Sequence, residues 1–119
     1  MSQRFNPRAA GGGTPTKPTT VNQTPPSKAN ITTVPVPLAS TTLLLANPNR
    51  RGAIFWNDHG SATVYLALGT LLASNLVFSV KLGPGAFYEL KFPAFTGDIS
   101  AASSLLIGDA NVLVTELLP

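Results

Sequence analysis

The sequence contains no cysteine and is poor in charge. With no cysteine among its 119 residues, the chain can form no disulfide, no thiolate metal site and no cysteine nucleophile. Charged residues make up 11% of the chain and hydrophobic residues 44%, whereas soluble domains usually carry about 25% charge. This length allows one small domain at most. A domain surface with so little charge predicts contact with another molecule.

Groups that could perform catalysis are equally scarce. The only histidine, His59, lies beside Asp58 and Ser61, but these residue types are also the ones that turns favour for backbone reasons. Five scattered acids offer no metal-ligand spacing. The glycines at 11–13 lack the flanking strand and helix of a phosphate-binding loop, and they predict a flexible joint. We therefore expect no enzyme activity, no metal and no cofactor.

Residues 1–37 differ in composition from the rest of the chain. They hold seven of the eleven prolines, and no acid balances the basic residues before Asn30. Closely spaced prolines favour extended backbone, so this segment predicts an arm that precedes a β domain at 38–119. Four charges over thirty residues are sparse for a nucleic-acid tail, so a protein partner is favoured over nucleic acid. The predicted partner-binding residues of the arm are Arg4, Phe5, Arg8, Lys17 and Lys28.

From Ile31 onward, short runs of β-branched and aromatic residues alternate with turn residues about every ten positions. This spacing predicts an all-β fold, a small antiparallel β-sandwich or jelly-roll-like barrel of six to eight short strands. The candidate strands are Ile31–Val36, Thr41–Ala46, Ala53–Asn57, Ala62–Leu68, Leu76–Leu82, Phe87–Phe92, Asp98–Ala101 and Asn111–Leu117.

Two of the turns predict hairpins. Residues 58–61 would join the third and fourth strands, and residues 83–85 would join the fifth and sixth. In the sixth strand, Tyr88 and Leu90 alternate with Phe87 and Glu89, which places the two sets on opposite faces. Two consecutive hairpins would give a meander.

No charged residue occurs between His59 and Val80, a length that could span a bilayer. Its alternating apolar positions and interspersed serines and threonines argue against a transmembrane segment. The N-terminus has no apolar stretch typical of a secretory signal. We expect a protein that is made and folds in a cytoplasm, with no membrane partner.

The strands carry apolar residues on both faces, more than the interior of one small sandwich can hold. This excess predicts self-association, most naturally as a homotrimer. The expected interface residues are Trp56, Tyr65, Val77 and Phe87. In the turn at 47–52, Arg50 and Arg51 fit two interpretations equally well: a solvated loop that keeps a sheet edge soluble, or a contact loop for an acidic partner.

Four segments resemble small virion proteins of tailed bacteriophages. They are NPNRRGAIFWND at 47–58, ATVYLALG at 62–69, GPGAFYEL at 83–90 and FTGDIS at 95–100, after which residues 111–117 form the closing strand. The resemblance covers about residues 46–117. It implies a capsid decoration, or cement, protein on the outside of a virion, made in the host cytoplasm and bound to the major capsid protein.

In this interpretation the arm reaches over neighbouring capsid subunits. An alternative is a head- or tail-fibre module that binds a host receptor or glycan through exposed aromatic side chains. A nucleic-acid-binding arm ranks third and predicts a strong dependence on salt.

Overall fold

The computed structural model describes residues 24–119, and within that range the chain consists of strands and turns without a helix. Eight strands form two four-stranded antiparallel sheets. The predicted all-β antiparallel fold is therefore confirmed. The predicted arm residues Arg4, Phe5, Arg8 and Lys17 lie outside the described residues.

The two sheets draw their strands from the whole described sequence. Sheet 1 has the order β1-β8-β3-β6, and sheet 2 has the order β2-β7-β4-β5. The strands are β1 (Lys28–Val36), β2 (Thr41–Leu44), β3 (Gly52–Asn57), β4 (Val64–Leu68), β5 (Val80–Leu82), β6 (Phe87–Leu90), β7 (Ile99–Ser103) and β8 (Ala110–Leu118).

The strand pairing is nested. β1 pairs with β8, β2 with β7, β3 with β6, and β4 with β5. The chain thus folds as one long hairpin. Its two paired halves cross together from one sheet to the other. Additional pairing of β3 with β8 and of β4 with β7 completes each sheet. This arrangement is the eight-stranded double-sheet jelly roll.

The predicted meander is wrong. β3 and β4 belong to different sheets, and so do β5 and β6, so neither connection is a hairpin. The turns themselves exist: the amide of Ala86 donates to the carbonyl of Gly83 at 3.0 Å, and Gly85 has a φ of 74°, which favours glycine. Each turn is a corner at which the chain crosses from one sheet to the other.

The strand bounds differ from the prediction by one or two residues at several ends, and by more at the starts of β1 and β5. The fifth strand was expected over residues 76–82, but only Val80–Leu82 pairs as β5. At the N-terminal side, β1 begins at Lys28 and pairs with β8 along its whole length. Residues 28–36, which the predicted arm included, are thus part of sheet 1. The partner-binding candidate Lys28 is exposed at the start of this strand.

The core lies between the inner faces of the two sheets. Alternate residues of each strand point inward, as a period of two requires. Burying each large apolar side chain contributes about 1.5–3 kcal/mol. The largest fully buried apolar side chains are Phe55, Val112, Val114 and Val36 from sheet 1 and Leu66, Val64 and Ile99 from sheet 2.

Candidate functional site

The outer face of sheet 1 carries large apolar side chains that the rest of residues 24–119 leaves exposed. On β3, Phe55 is fully buried while its neighbour Trp56 is 49% exposed, because successive side chains point to opposite faces. Trp56 stacks on Phe87 of β6, with ring centroids 6.1 Å apart. We name this surface the aromatic face; it consists of Ile31, Ile54, Trp56, Phe87 and Leu113.

The register of the strands places these residues in two neighbouring rows. Leu113, Trp56 and Phe87 occupy one row across β8, β3 and β6. Ile31, Ile54 and Glu89 lie in the next row, with Thr115 between the two isoleucines. Three strands thus contribute a large apolar side chain to the first row and two strands to the second.

The second apolar surface is built by the connection between β4 and β5. This tip loop, residues 69–79, is the turn of the long hairpin and folds back over the outer face of sheet 2. Ala73 is buried against Ala67 and Ala102, and its amide donates to Oγ of Ser100 at 3.0 Å. The loop thereby covers part of one sheet while presenting its own side chains outward.

Five of the exposed side chains of the tip loop are large and apolar. Ser74 fixes a tight turn within it, because its Oγ accepts the amides of Leu76 and Val77. Phe78 packs against Tyr65 of β4 at 5.2 Å between ring centroids. Leu71, Leu72, Leu76, Val77 and Phe78 are all exposed. With Tyr65 they form the tip-loop surface.

The four predicted interface residues divide between these surfaces. Trp56 and Phe87 belong to the aromatic face, on sheet 1. Val77 is 41% exposed in the tip loop. Tyr65 is half-buried on sheet 2, where it packs against Phe78 of the same loop. From the sequence we inferred that these apolar side chains exceed what one core can hold. Nothing in the sequence indicated that they lie on opposite sides of the sandwich.

Arg50 is buried rather than presented to a partner. Only 1% of it is exposed, and its Nε donates to Glu116 at 3.0 Å. Nη1 donates to the carbonyls of Phe95 and Gly97, and Nη2 to that of Leu45. Arg50 is therefore not available as the predicted contact residue, because its guanidinium donates its hydrogen bonds to groups within the chain. Two segments of the phage resemblance, 47–58 and 95–100, meet at this side chain.

Arg51 remains near the surface and holds the first described residues. Its Nε donates to the carbonyl of Thr24 at 2.8 Å, and Nη1 donates to that of Asn49. It therefore ties Thr24, which precedes β1, to the start of β3. The two adjacent arginines have different roles, which their shared turn does not reveal.

Asn57 and His59 organise the two corners. The buried Nδ2 of Asn57 donates to the carbonyls of Ala62, Leu82 and Gly83, which joins the β3–β4 corner to the β5–β6 corner. The His59 Nδ1 accepts the amides of Ser61 and Ala62 at 3.1 and 2.9 Å. His59 thus bonds to backbone of its own turn, as the structural interpretation of this turn expected.

Beside Trp56 lies a shallow groove of about 380 Å³. It is lined by Trp56, Asn57, Asp58, His59, Gly60, Pro84 and Gly85. Across residues 24–119, no group of three or more His, Asp or Glu side chains could hold a metal ion. The same range includes no helix long and apolar enough to cross a membrane.

No protein-family model matches the sequence, and no curated protein is significantly similar to it.

Proposed function

We propose that this chain is a noncatalytic virion structural protein that decorates and stabilises a bacteriophage capsid by binding the major capsid protein. The observation that carries the proposal is the pair of uncovered apolar surfaces on opposite sides of the sandwich. Soluble monomers rarely expose contiguous apolar patches of such extent unless another molecule covers them. Other protein subunits, copies of this chain among them, are the partners that suit broad apolar surfaces of this kind.

The phage assignment rests on the segments at 47–58, 62–69, 83–90 and 95–100. Double-sheet jelly rolls recur in viral capsid domains, but also in lectins, so the fold favours a virion protein without deciding the function. Part of this pattern has a structural role, because Arg50 donates to the carbonyl of Gly97 and so links two of the segments within the sandwich. The capsid surface as the location, and assembly in a host cytoplasm, belong to the same proposal.

The shell contact is assigned to the basic, proline-rich N-terminal segment. Residues 24–119 carry five basic and five acidic side chains, so the net charge of +3 comes from Arg4, Arg8 and Lys17. Arg51 donates to the carbonyl of Thr24, the residue that follows this segment in the sequence. A tethered segment binds at high effective concentration, so several weak contacts sum to a stable one.

Co-sedimentation with capsids that lack the protein tests this function. Full-length protein is expected to bind at a fixed, saturable ratio to capsid subunits. Removing residues 1–23, which leaves β1 and the Thr24–Arg51 contact intact, is expected to weaken binding at least about tenfold because each arm contact is lost. Equal binding by the shortened chain would contradict the role of the segment.

Charge variants of the full chain provide the matched control. Replacing Arg4, Arg8 and Lys17 with glutamine removes three charges without changing length. The control removes a surface charge from the domain instead, through Lys91→Gln, at an exposed position. The first variant is expected to lose capsid binding and the second to retain it. Equal losses would indicate a nonspecific charge effect.

A glycan-binding fibre module is the second candidate, and the groove beside Trp56 favours it. An exposed indole ring flanked by Asp58 and His59 could stack on a sugar and bind its hydroxyls. Trp56 is the only tryptophan, so its fluorescence reports directly on this groove. A saturable emission change on titration with host-cell glycans, together with no binding to shells, would favour this candidate over decoration.

A further inference from the structure

The two apolar surfaces are complementary in charge at their rims. At the aromatic face, Asp58 follows Trp56 by two residues and Glu89 follows Phe87 by two, and both acids are exposed. At the tip-loop surface, the exposed Lys81 lies directly opposite Tyr65 in the β4–β5 pairing. The tip loop itself carries no charge. Lys91, also exposed, follows Glu89 by two residues, so the aromatic face has two acidic neighbours and one basic neighbour. The tip-loop surface has the basic neighbour Lys81.

Pairing either surface with itself is less favourable. A two-fold contact centred on Trp56 and Phe87 would place Asp58 and Glu89 of both copies at one interface, and one centred on Tyr65 would place both copies of Lys81 at one interface. Like charges placed in this way oppose association. Each self-pairing would also leave the other apolar surface of every copy uncovered.

A contact between unlike surfaces avoids both costs. The tip loop of one copy then covers the aromatic face of the next, and Lys81 approaches the acids beside Trp56 and Phe87. Strands lie about 4.8 Å apart and rise about 3.3 Å per residue, so each sheet face measures several hundred square ångströms. Stable interfaces bury roughly 800 Å² per partner, which is an area of the same order.

We propose that copies of this chain associate head to tail, with the tip-loop surface of one copy seated on the aromatic face of the next. The contact is heterologous, so it closes into a ring when the rotation between copies permits; a ring of three is the homotrimer expected from the sequence. All four predicted interface residues then belong to one contact, two from each copy. The contact forms between copies alone, so its test is independent of capsid binding.

Complementation between two variants tests this geometry. The first variant, Phe87→Asp, disrupts the aromatic face and keeps the tip loop. The second, Leu72→Asp with Leu76→Asp, disrupts the tip-loop surface and keeps the aromatic face; these leucines are 69% and 86% exposed. Each variant alone is expected to be monomeric by light scattering, with self-association weakened at least about tenfold.

Mixing the variants distinguishes head-to-tail contact from self-pairing. The first variant retains an intact tip loop and the second an intact aromatic face, so an equimolar mixture is expected to form a one-to-one heterodimer. If the tip-loop variant alone keeps the oligomeric mass of the unmodified protein while Phe87→Asp is monomeric, the aromatic face pairs with itself and the proposal fails. A mixture that stays monomeric also overturns it.

Leu106→Asp with Ile107→Asp is the matched control. Both side chains are highly exposed in the β7–β8 connection, at 85% and 91%, and belong to neither surface. This variant is expected to retain the oligomeric mass, and its dissociation would contradict the assignment. Trp56 emission gives a second measurement: it is expected at shorter wavelength in the oligomer than in the tip-loop variant. If a variant shows no cooperative melting, Phe87→Ala or Leu76→Ala replaces it.

Discussion

At the scale of single residues, Arg50 contributes most clearly to the fold. Its side chain bonds to Glu116 and to carbonyls from two other segments, so one guanidinium joins the turn before β3, the connection before β7 and the end of β8. Glu116 is itself largely buried, at 14% side-chain exposure. Such a charged network is strongly destabilised when one member is lost.

Replacing Arg50 with lysine is expected to lower the free energy of unfolding by about 2–4 kcal/mol. The ammonium group can approach Glu116, but it cannot also reach the carbonyls that the planar guanidinium binds. Chemical denaturation monitored by Trp56 fluorescence measures the change. Arg51→Lys is the matched control, with an expected loss below about 1 kcal/mol, because its bonds are exposed. Equal losses for the two variants would contradict the role of Arg50.

The sequence predicted the turn that carries Arg50 but not its partners. Within the turn, the amide of Arg50 donates to the carbonyl of Asn47, and Oδ1 of Asn47 accepts the amide of Asn49. Such contacts follow from local residue types. Glu116 and Phe95 are 66 and 45 residues away from Arg50, and no periodicity connects positions so distant. The burial of the arginine was therefore invisible in the sequence.

At the scale of elements, the strands were easier to predict than their pairing. All eight occur in the expected order, because runs of β-branched and aromatic residues are a local signal. Their nested pairing is not local: Lys28 pairs with Leu118, near the opposite end of the described chain. The two corners resemble hairpin turns in composition. They are not hairpins because each joins strands of different sheets, β3 to β4 and β5 to β6.

The tip loop shows a second limit of local patterns. Residues 76–79 alternate like a strand, yet Ser74 turns the chain there and Ala73 anchors it on sheet 2. Small side chains at positions 67, 73 and 102 allow this close approach. A pattern of apolar residues does not distinguish a strand from a loop that is packed against a sheet.

Ala73→Asp is expected to detach the tip loop from sheet 2. A carboxylate would be buried between Ala67 and Ala102, which costs a few kcal/mol in the docked state. Hydrogen exchange is expected to rise in residues 71–79 and to stay low in β3 and β8, since local opening leaves the rest folded. Thr70→Asp, at an exposed position of the same loop, is the control and is expected to cause little change. Unchanged protection in the Ala73 variant would contradict the anchoring.

At the scale of the whole molecule, the excess of apolar residues was visible in the sequence, but its placement was not. Composition indicates how much apolar surface exceeds one core, whereas the nested pairing decides which residues face outward. The jelly roll places Trp56 and Phe87 on one side and the tip loop on the other. Two separate surfaces permit head-to-tail association, which a single patch would not.

The oligomeric mass of the full-length protein is the most direct test of an assembly function. Light scattering across a series of micromolar concentrations compares the measured mass with the 12.4 kDa of one chain, in the range where interfaces of this size associate. One defined multiple of that mass is expected, three chains for a closed ring. A mass of one chain at every concentration would contradict the claim that copies of the protein cover its two apolar surfaces.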